Sequence, residues 1–488
     1  MTLNTLDVVV IVLFFLSMVV IGVMSYFKSK NSEDYFVAGG NLPWWLAGIS
    51  HHVSGHSGAV FVAYAAVAYT HGFTMYIWWA FPVGVVVAGT SKIFPVYWFR
   101  LRRALHIQSP LEYLSIRYNV LTQQIVAWAG VLLKVFDVGA KWAAIGILLH
   151  VVAGISMTTG ILVSGVVTII YVTFGGLWGV IVTDFIQFLV QVLGGVVMFV
   201  LVVNRLGGIS SITNIWHQLP VDHGQPFNKP YTAAFVGVMF FIYFLSYNGG
   251  IWSLATRYIS SANEKEASKA ARLSGILYLF WPLILFFPMW AAPIILPGLK
   301  NPSESYGWLM LKILPQGMIG LVVASLFAAT MGMTSSDVNT IAAVITRDIL
   351  PVVSPRFRND TNSLRTARAT TFIFTLATIG IALNYEQFGG VLGLIVNWFA
   401  ALLGPTAMPL FFGLLPVFKR CGPKAAISAI IAGLFTFVVS KEIKFDSLAL
   451  EVGLPTLVSA IVFIAVGLTS KAVPEKVTNL MAALKRTY

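Results

Sequence analysis

Ser54-Gly55-His56-Ser57-Gly58 lies in the middle of a long apolar window, residues 43–70. A second glycine-containing stretch, Ser246-Tyr247-Asn248-Gly249-Gly250, lies inside the apolar window 233–257. Glycine lowers helix stability by about 1 kcal/mol relative to alanine, so each stretch predicts an unwound segment within a membrane-spanning helix. Unwound backbone is tolerated at membrane depth only where it lines a cavity or is buried in protein. The two stretches therefore predict a buried site.

The composition of the chain agrees with a membrane protein. Its 488 residues are 58% hydrophobic and only 10% charged, whereas soluble domains carry about 25% charged residues. This excludes an ordinary water-soluble enzyme, a disordered chain and a disulfide scaffold. The single cysteine, Cys421, excludes an internal disulfide and a cysteine-rich metal site.

Thirteen apolar windows predict membrane-spanning helices, which we number span 1 to span 13. In chain order they cover residues 6–27, 43–70, 73–98, 123–153, 156–174, 177–203, 233–257, 272–297, 316–346, 367–384, 388–416, 425–440 and 452–469. The predicted fold class is an all-α polytopic membrane protein with a single transmembrane domain, residues 1–488.

Basic residues predict the orientation of the chain. The segments 28–42, 99–122, 257–272, 347–369, 418–424 and 470–488 hold 22 of the 31 Lys and Arg residues, and the opposite loops hold 6. Because short cytoplasmic loops are enriched in Lys and Arg, the first set is predicted to be cytoplasmic. The N-terminus is then outside, and residues 470–488 form a cytoplasmic tail. The net charge of +13 is explained by orientation, so the expected partner is the lipid bilayer and not a nucleic acid.

The two interrupted helices, spans 2 and 7, lie five spans apart, and an odd offset gives them opposite directions across the membrane. The chain therefore predicts two inverted five-helix repeats, residues 43–203 and 233–416. Residues 6–27 are then an extra N-terminal helix, and residues 425–469 hold two C-terminal helices. This arrangement is typical of secondary transporters, which bind solute and coupling ion at the breaks. The alternative is that small residues only allow close helix packing.

Four motifs in chain order resemble those of a known family. They are Asn31-Ser-Glu-Asp-Tyr-Phe-x-Ala-Gly-Gly-x-Leu-Pro-Trp-Trp45, Gly175-Gly-Leu-x-x-Val-x-x-Thr-Asp-x-x-Gln187, Ala328-Ala329 through Asn339 with Thr346-Arg347-Asp348, and Gly404-Pro405 with Phe418-Lys419-Arg420. As a set they resemble the sodium:solute symporter family. The resemblance implies a LeuT-type inverted-repeat fold and alternating-access cotransport, usually driven by sodium.

The resemblance also implies sodium sites. The family's core site uses backbone carbonyls of span 2 and groups on span 9, at positions that correspond to Val53, His56, Ala329, Gly332 and Met333. The family usually has hydroxyl residues at the last two positions, and this chain has none. Carbonyls alone leave the site short of ligands, since a hard cation takes around five or six oxygens.

A second family site corresponds to Asp184, Ser335 and Ser336, and Asp337 adds another possible carboxylate. A carboxylate with two hydroxyls offers hard oxygen donors and a negative charge, which suits sodium. An acid inside a membrane predicts a functional or paired role. The alternative for Asp184 is a structural role, either paired with Arg347 or complementing a helix N-terminus.

Three histidines, His51, His52 and His56, lie in the interrupted span 2, and three interpretations stay open. His52 and His56 share a helix face, but no nearby Cys or acid in this span completes a transition-metal site. His56 stands at an ion-site position and imidazole titrates near neutral pH, so its proton could replace the core sodium. The histidines could also only shape the cavity by hydrogen bonding. No cofactor is expected besides Na⁺ or H⁺ as coupling ion.

Charged and aromatic residues supply the candidates for solute binding. Lys134, Asp137 and Lys141 share one stripe of span 4, and a Lys–Asp pair would leave one lysine to meet an anionic solute or to extend outward. Sugar-carrying relatives have polar side chains where this chain has Ile77 and Trp252, so a hexose bound in their manner is not expected. A sugar held by other groups stays open. The candidates are His51, His52, Ser57, Ile77, Trp78, Lys134, Asp137, Tyr247, Asn248 and Trp252.

The sequence thus predicts a secondary active transporter in which Na⁺ drives symport of a small organic solute, with a preference for an anionic one. The first alternative is a proton-coupled or uncoupled carrier that uses His56. A channel or solute sensor and a membrane-embedded enzyme are the rivals, and the inverted repeat argues against an enzyme. The absence of a targeting segment and of disulfides predicts a bacterial inner membrane.

Overall fold

The structure is a computed structural model that describes residues 3–27, 31–357, 364–394, 401–443, 445–470 and 472–487. In these ranges nine helices are long and apolar enough to cross a membrane, or ten if the pair Tyr76–Gly89 and Phe94–Leu105, bent by 54°, is one span. Three shorter apolar helices, Gly58–His71, Met157–Ile170 and Leu403–Phe412, lie in the windows of spans 2, 5 and 11. Each of the thirteen windows therefore contains an apolar helix, while the number of spans and the sides of the termini stay predictions. Residues 395–400 of the span 11 window lie outside the described residues.

The helices of the predicted spans have the following bounds. They are Thr5–Tyr26 for span 1, Trp44–Val53 and Ala63–His71 for span 2, Phe81–Gly89 and Phe94–Leu105 for span 3, Val120–Ala153 for span 4, Met157–Arg205 for spans 5 and 6, Ala233–Leu245 and Trp252–Ile259 for span 7, Glu264–Ile295 for span 8, Met318–Val344 for span 9, Leu364–Ala382 for span 10, Ala401–Phe412 for span 11, Pro423–Ile443 for span 12 and Leu448–Leu468 for span 13. Spans 5 and 6 are separated by a kink at Gly176, whose φ is 56°.

Span 2 unwinds at the predicted glycine stretch. Its first helix ends at Val53, and Ser57 is fully extended, with its hydroxyl accepting a hydrogen bond from the N–H of Ala59. Gly55 is needed here because a Cβ at this position would stand 1.8 Å from the hydroxyl of Tyr278 on span 8. That hydroxyl donates to the carbonyl of His52 at 3.0 Å, so span 8 packs against the break and hydrogen-bonds to its backbone.

Span 7 also unwinds where the sequence predicts. The wide turn Ser246–Gly250 is followed by an extended residue, Ile251, before the helix resumes at Trp252. Gly249 has a φ of 137°, and a Cβ there would stand 2.6 Å from the ring of Trp98. The Trp98 indole N–H donates to the carbonyl of Asn248 at 2.8 Å, so a side chain of span 3 hydrogen-bonds to the backbone of the break.

The core of the fold is built around span 9. In its most apolar window 83% of the residues are buried, against 22% in span 1. Span 9 packs against spans 1, 4, 6 and 10, and this enclosure buries its polar residues inside the protein. Span 1 stands at the periphery, where an apolar surface faces lipid.

Two features differ from the sequence interpretation. Arg257, which was counted with the cytoplasmic segment 257–272, lies within the second helix of span 7 and is 0% exposed. Residues 470–488 are not only a tail, because Glu475–Lys485 forms a helix that buries Val477, Leu480, Met481 and Leu484. It packs against Phe94–Leu105 and Glu112–Arg117. Too few apolar residues follow one another there to give a span signal.

Candidate solute and ion site

The two breaks meet directly. The hydroxyl of Tyr247, in the span 7 break, donates to the carbonyl of Gly55, in the span 2 break, at 2.8 Å. Beside this contact lies a cavity of about 80 Å³. Solute sites of membrane transporters lie where broken helices meet, so the position of this cavity makes it the candidate solute site.

Aromatic side chains from spans 2, 3 and 7 form much of the cavity wall. They are Tyr64, Trp78, Trp79, Tyr243 and Tyr247. Three buried polar atoms that belong to lining residues have no hydrogen-bond partner among the described residues, namely Trp78 Nε1, Tyr243 Oη and Ser246 Oγ. Buried polar groups are nearly always hydrogen-bonded, so these three atoms point to a polar ligand.

Four buried charges form a closed cluster at the cavity, which we name the four-charge cluster: Lys134, Asp137, Lys141 and Asp337. Lys134 lies 2.8 Å from Asp137 and 3.0 Å from Asp337, and Lys141 lies 2.9 Å from Asp137 and 2.6 Å from Asp337. The hydroxyl of Ser253 on span 7 donates to Asp337 at 2.8 Å. The cluster therefore links spans 4, 7 and 9, and its formal charge is zero.

The four-charge cluster corrects two interpretations. Asp337 was grouped with Asp184, Ser335 and Ser336, but its carboxylate faces the two lysines of span 4. The lysine that a single Lys–Asp pair would have left over is therefore paired with Asp337. Asp137 and Lys141 line the cavity, whereas Lys134 does not.

Arg257 of span 7 forms a second buried ion pair, with Asp184 of span 6. Its guanidinium Nη2 lies 3.2 Å from Asp184 Oδ2 and donates to the hydroxyls of Ser54, at 3.0 Å, and Ser336. Its Nε donates to Ser50 Oγ at 2.9 Å, and Ser50 donates to the same carboxylate oxygen at 2.5 Å. Asp184 and Ser336 thus meet as predicted, but an arginine lies between them.

Three more span 9 positions belong to the predicted ion sites. Ser335 donates to the carbonyl of Gly332 on its own helix at 3.1 Å. Met333 lines the cavity. Ala329 is fully buried within span 9.

The histidines of span 2 have three different surroundings. His51 is held by Ser274 at 2.7 Å and Tyr258 at 2.8 Å, away from the cavity. The His52 ring meets the Tyr278 ring in a T-shaped contact, with centroids 4.5 Å apart. Within the described residues neither of its ring nitrogens has a hydrogen-bond partner. His56 lines the cavity, with Nδ1 3.0 Å from the carbonyl of His52 and Nε2 3.1 Å from Gln191 Oε1.

Of the ten solute-cavity candidates, the lining contains Ser57, Trp78, Asp137 and Tyr247. Ile77 and Trp252 do not line it, so their lack of polar groups carries no information about a sugar. The Trp252 ring instead covers Gly130, and the Asn248 side chain accepts from Thr90 at 2.6 Å.

Sequence reasoning missed Arg257, because it lies at the edge of an apolar window and was counted as a loop residue. It also missed Tyr64 and Ser246 as lining residues, whereas Tyr243 and Trp79 were expected in an aromatic wall together with Trp78, Tyr247 and Trp252. A helical projection of span 7 would have grouped Tyr243, Ser246 and Tyr247 on one side.

Known proteins share this architecture. A model described as the sodium:solute symporter family matches residues 35–433. The sodium/sialic acid symporter NanT of Aliivibrio fischeri is 27% identical over 451 residues, covering 89% of this chain and 87% of that protein. The sodium/glucose cotransporter of Vibrio parahaemolyticus is 25% identical, covering 94% and 90%. A solved structure of a substrate-bound, outward-open Na⁺-coupled sialic acid symporter superposes with a TM-score of 0.80 at 22% identity, covering 95% of this chain and 96% of that chain, so the fold is shared.

Proposed function

The chain belongs to the sodium:solute symporter family, and we propose that its solute is an anion bound in the aromatic cavity. It is a multi-pass membrane transporter that couples sodium to the symport of a small organic solute. The observation that carries the proposal is the position of Lys141. Its ammonium lines the cavity and has three N–H donors, of which Asp137 and Asp337 take two. The third can meet a carboxylate of the solute.

The unpartnered polar atoms support the same solute class. The indole N–H of Trp78 is only a donor, and the hydroxyls of Tyr243 and Ser246 can both donate. Together with Lys141 they give the cavity four groups that can donate to a solute. A carboxylate accepts several hydrogen bonds at once, and bonds to ionised acceptors are stronger than neutral ones.

The balance of buried charge gives a further argument. The four-charge cluster is neutral, and Arg257 neutralises Asp184. A sodium ion that binds among these groups leaves an excess positive charge, which is costly away from water. An anionic solute removes that excess, so sodium and an anion favour each other's binding.

A stability screen of the purified protein tests the solute class. Small carboxylates, zwitterions and neutral hexoses are added in sodium buffer, with potassium buffer as the control for ionic strength. We expect a rise in melting temperature with a carboxylate in sodium and not in potassium. Stabilisation by hexoses alone would contradict the proposal.

A matched pair of variants then tests the cavity. Trp78→Phe removes an unpartnered indole N–H, whereas the Trp142 N–H donates to Thr378 at 3.1 Å, outside the cavity. A hydrogen bond to a charged group contributes about 1.5–3 kcal/mol, so Trp78→Phe should weaken binding of the carboxylate at least tenfold. Trp142→Phe should leave binding within twofold. Equal effects of the two variants would argue against binding at Trp78.

Proton coupling through His56 is the second candidate, and one observation favours it. Both ring nitrogens of His56 face oxygen atoms, the carbonyl of His52 and the amide oxygen of Gln191. An imidazolium carries a proton on both ring nitrogens and can donate to both oxygens at once. A neutral ring fits only if the Gln191 amide is turned so that its nitrogen faces His56. His56→Gln should then abolish uptake driven by a pH gradient and leave uptake driven by sodium. Unchanged pH-driven uptake in that variant rejects this candidate.

We also propose the topology that the sequence predicts. Residues 43–203 and 233–416 are the two inverted repeats, with the N-terminus outside and the C-terminus inside a bacterial inner membrane. The broken helices at corresponding positions of the two repeats support the repeat boundaries. The excess of Lys and Arg in one set of loops supports the orientation.

A further inference from the structure

Two buried oxygen atoms on span 6 lack hydrogen-bond partners within the described residues: Asp184 Oδ1 and Gln187 Oε1. Both residues are 0% exposed. They face the same point, because a Cβ placed on Gly332 would stand 2.7 Å from Gln187 Oε1 and 3.2 Å from Asp184 Oδ1. Acceptors left unpaired in a protein interior are costly, and two that converge beside a glycine indicate a ligand with positive charge.

The opposite side of Asp184 is already occupied. Arg257 and Ser50 both bond to Oδ2, and Arg257 also bonds to Ser336 and Ser54. The guanidinium therefore supplies a fixed positive charge where the sequence predicted a second sodium site. A mobile cation has to use the other carboxylate oxygen, Oδ1.

Val53 of span 2 packs against the same glycine. The Val53 side chain approaches Gly332, with Cγ1 2.5 Å from a Cβ built on that glycine. Val53 is the last residue of its helix, and no hydrogen bond to its carbonyl is found in the described part of the chain. The break thus releases a carbonyl oxygen on the residue that lies against Gly332.

We propose that the coupling sodium binds beside Gly332, between Asp184 Oδ1, Gln187 Oε1 and the carbonyl of Val53. The two side-chain oxygens of span 6 replace the hydroxyls that span 9 lacks at Gly332 and Met333. Glycine is needed at position 332, since a Cβ there would stand 2.5 Å from Val53 Cγ1 and 2.7 Å from Gln187 Oε1. Carboxylate, amide and carbonyl oxygens are the ligands that hard cations prefer.

The orientation of the Gln187 amide agrees with this assignment. Its Nε2 points to Met18 Sδ of span 1 at 3.4 Å, and its oxygen is the end that faces Gly332. Sharing Asp184 with a fixed guanidinium weakens its hold on sodium, which suits an ion that has to be released on the other side of the membrane. The proposal rests on sodium coupling and does not depend on the chemical class of the solute.

The test measures the melting temperature of the purified protein against sodium, with potassium at equal ionic strength. Gln187→Leu removes the oxygen, and Thr183→Val is the control on the same span, because the Thr183 hydroxyl donates only to carbonyls of its own helix. We expect Gln187→Leu to raise the sodium concentration for half-maximal stabilisation at least tenfold. Thr183→Val should change it by less than twofold.

If Gln187→Leu does not fold, two further variants still test whether Gln187 binds sodium. Gln187→Asn keeps an amide but shortens the side chain by one methylene, so it should also weaken the sodium response. Ser336→Ala removes a hydroxyl that bonds to Arg257 and should leave the sodium midpoint unchanged. A response lost in Ser336→Ala but kept in Gln187→Asn would overturn the proposal in favour of the Arg257 side of Asp184. No sodium response in the unmodified protein would instead remove sodium coupling itself.

Discussion

Removing one charge of each sign from the four-charge cluster should destabilise the protein far less than the sum of the two single removals. Asp337→Asn preserves the shape of the side chain and its contact with Ser253, but it leaves Lys134 and Lys141 with Asp137 as their single carboxylate. Lys141→Met leaves two carboxylates with Lys134 alone. Both variants bury an uncompensated charge.

The magnitude follows from the contacts. Breaking a buried ion pair by removing one partner costs about 3–5 kcal/mol, so the two single variants would together lose about 6 kcal/mol or more if they were independent. The double variant keeps the Lys134–Asp137 pair at 2.8 Å and is neutral. We expect it to lose about 3 kcal/mol, which corresponds to a coupling energy of about 3 kcal/mol.

The assay is equilibrium unfolding in mixed detergent micelles for the unmodified protein, both single variants and the double variant. Lys441 and Glu451 provide the comparison, because their 2.6 Å pair is partly exposed, at 31% and 26%. A cycle of Lys441→Met with Glu451→Gln should give a coupling of about 1 kcal/mol or less. Additive effects of Asp337→Asn and Lys141→Met, within about 0.5 kcal/mol, would refute the reasoning that these groups are charged and paired.

Two other predictions concern the break and the topology. Gly55→Ala should prevent stable folding, because its Cβ would stand 1.8 Å from the hydroxyl of Tyr278, and adding Tyr278→Phe should restore part of the folded fraction measured by size-exclusion chromatography. No improvement in the double variant would place the constraint elsewhere. In a Cys421→Ser background, Val221→Cys should react with a membrane-impermeant maleimide on whole cells and Val417→Cys only after lysis, since both side chains are exposed, at 84% and 77%, and are predicted to lie on opposite sides. The reverse pattern would invert the predicted orientation.

The interruptions of spans 2 and 7 were determined by the sequence itself. Glycine within an apolar window weakens the helix locally, and this effect needs no knowledge of distant residues. The same holds for the thirteen apolar windows, each of which contains an apolar helix. The order of the family motifs along the chain was likewise readable without a structure, and the family model confirms it over residues 35–433.

The partners of the buried charges were decided only by the tertiary structure. Asp184 and Asp337 were grouped in one predicted sodium site, yet Asp337 meets two lysines of span 4 and Asp184 meets Arg257 of span 7. Neighbouring residues on a helix point about 100° apart, and the rotation of each helix about its axis is set by packing against all its neighbours. Gln187 is a further example, because its side-chain oxygen faces Gly332 of span 9, and this contact is set by helix packing. The local sequence pattern determines where a helix forms and where it breaks. The pairing of side chains 73 or more residues apart follows instead from how the helices pack.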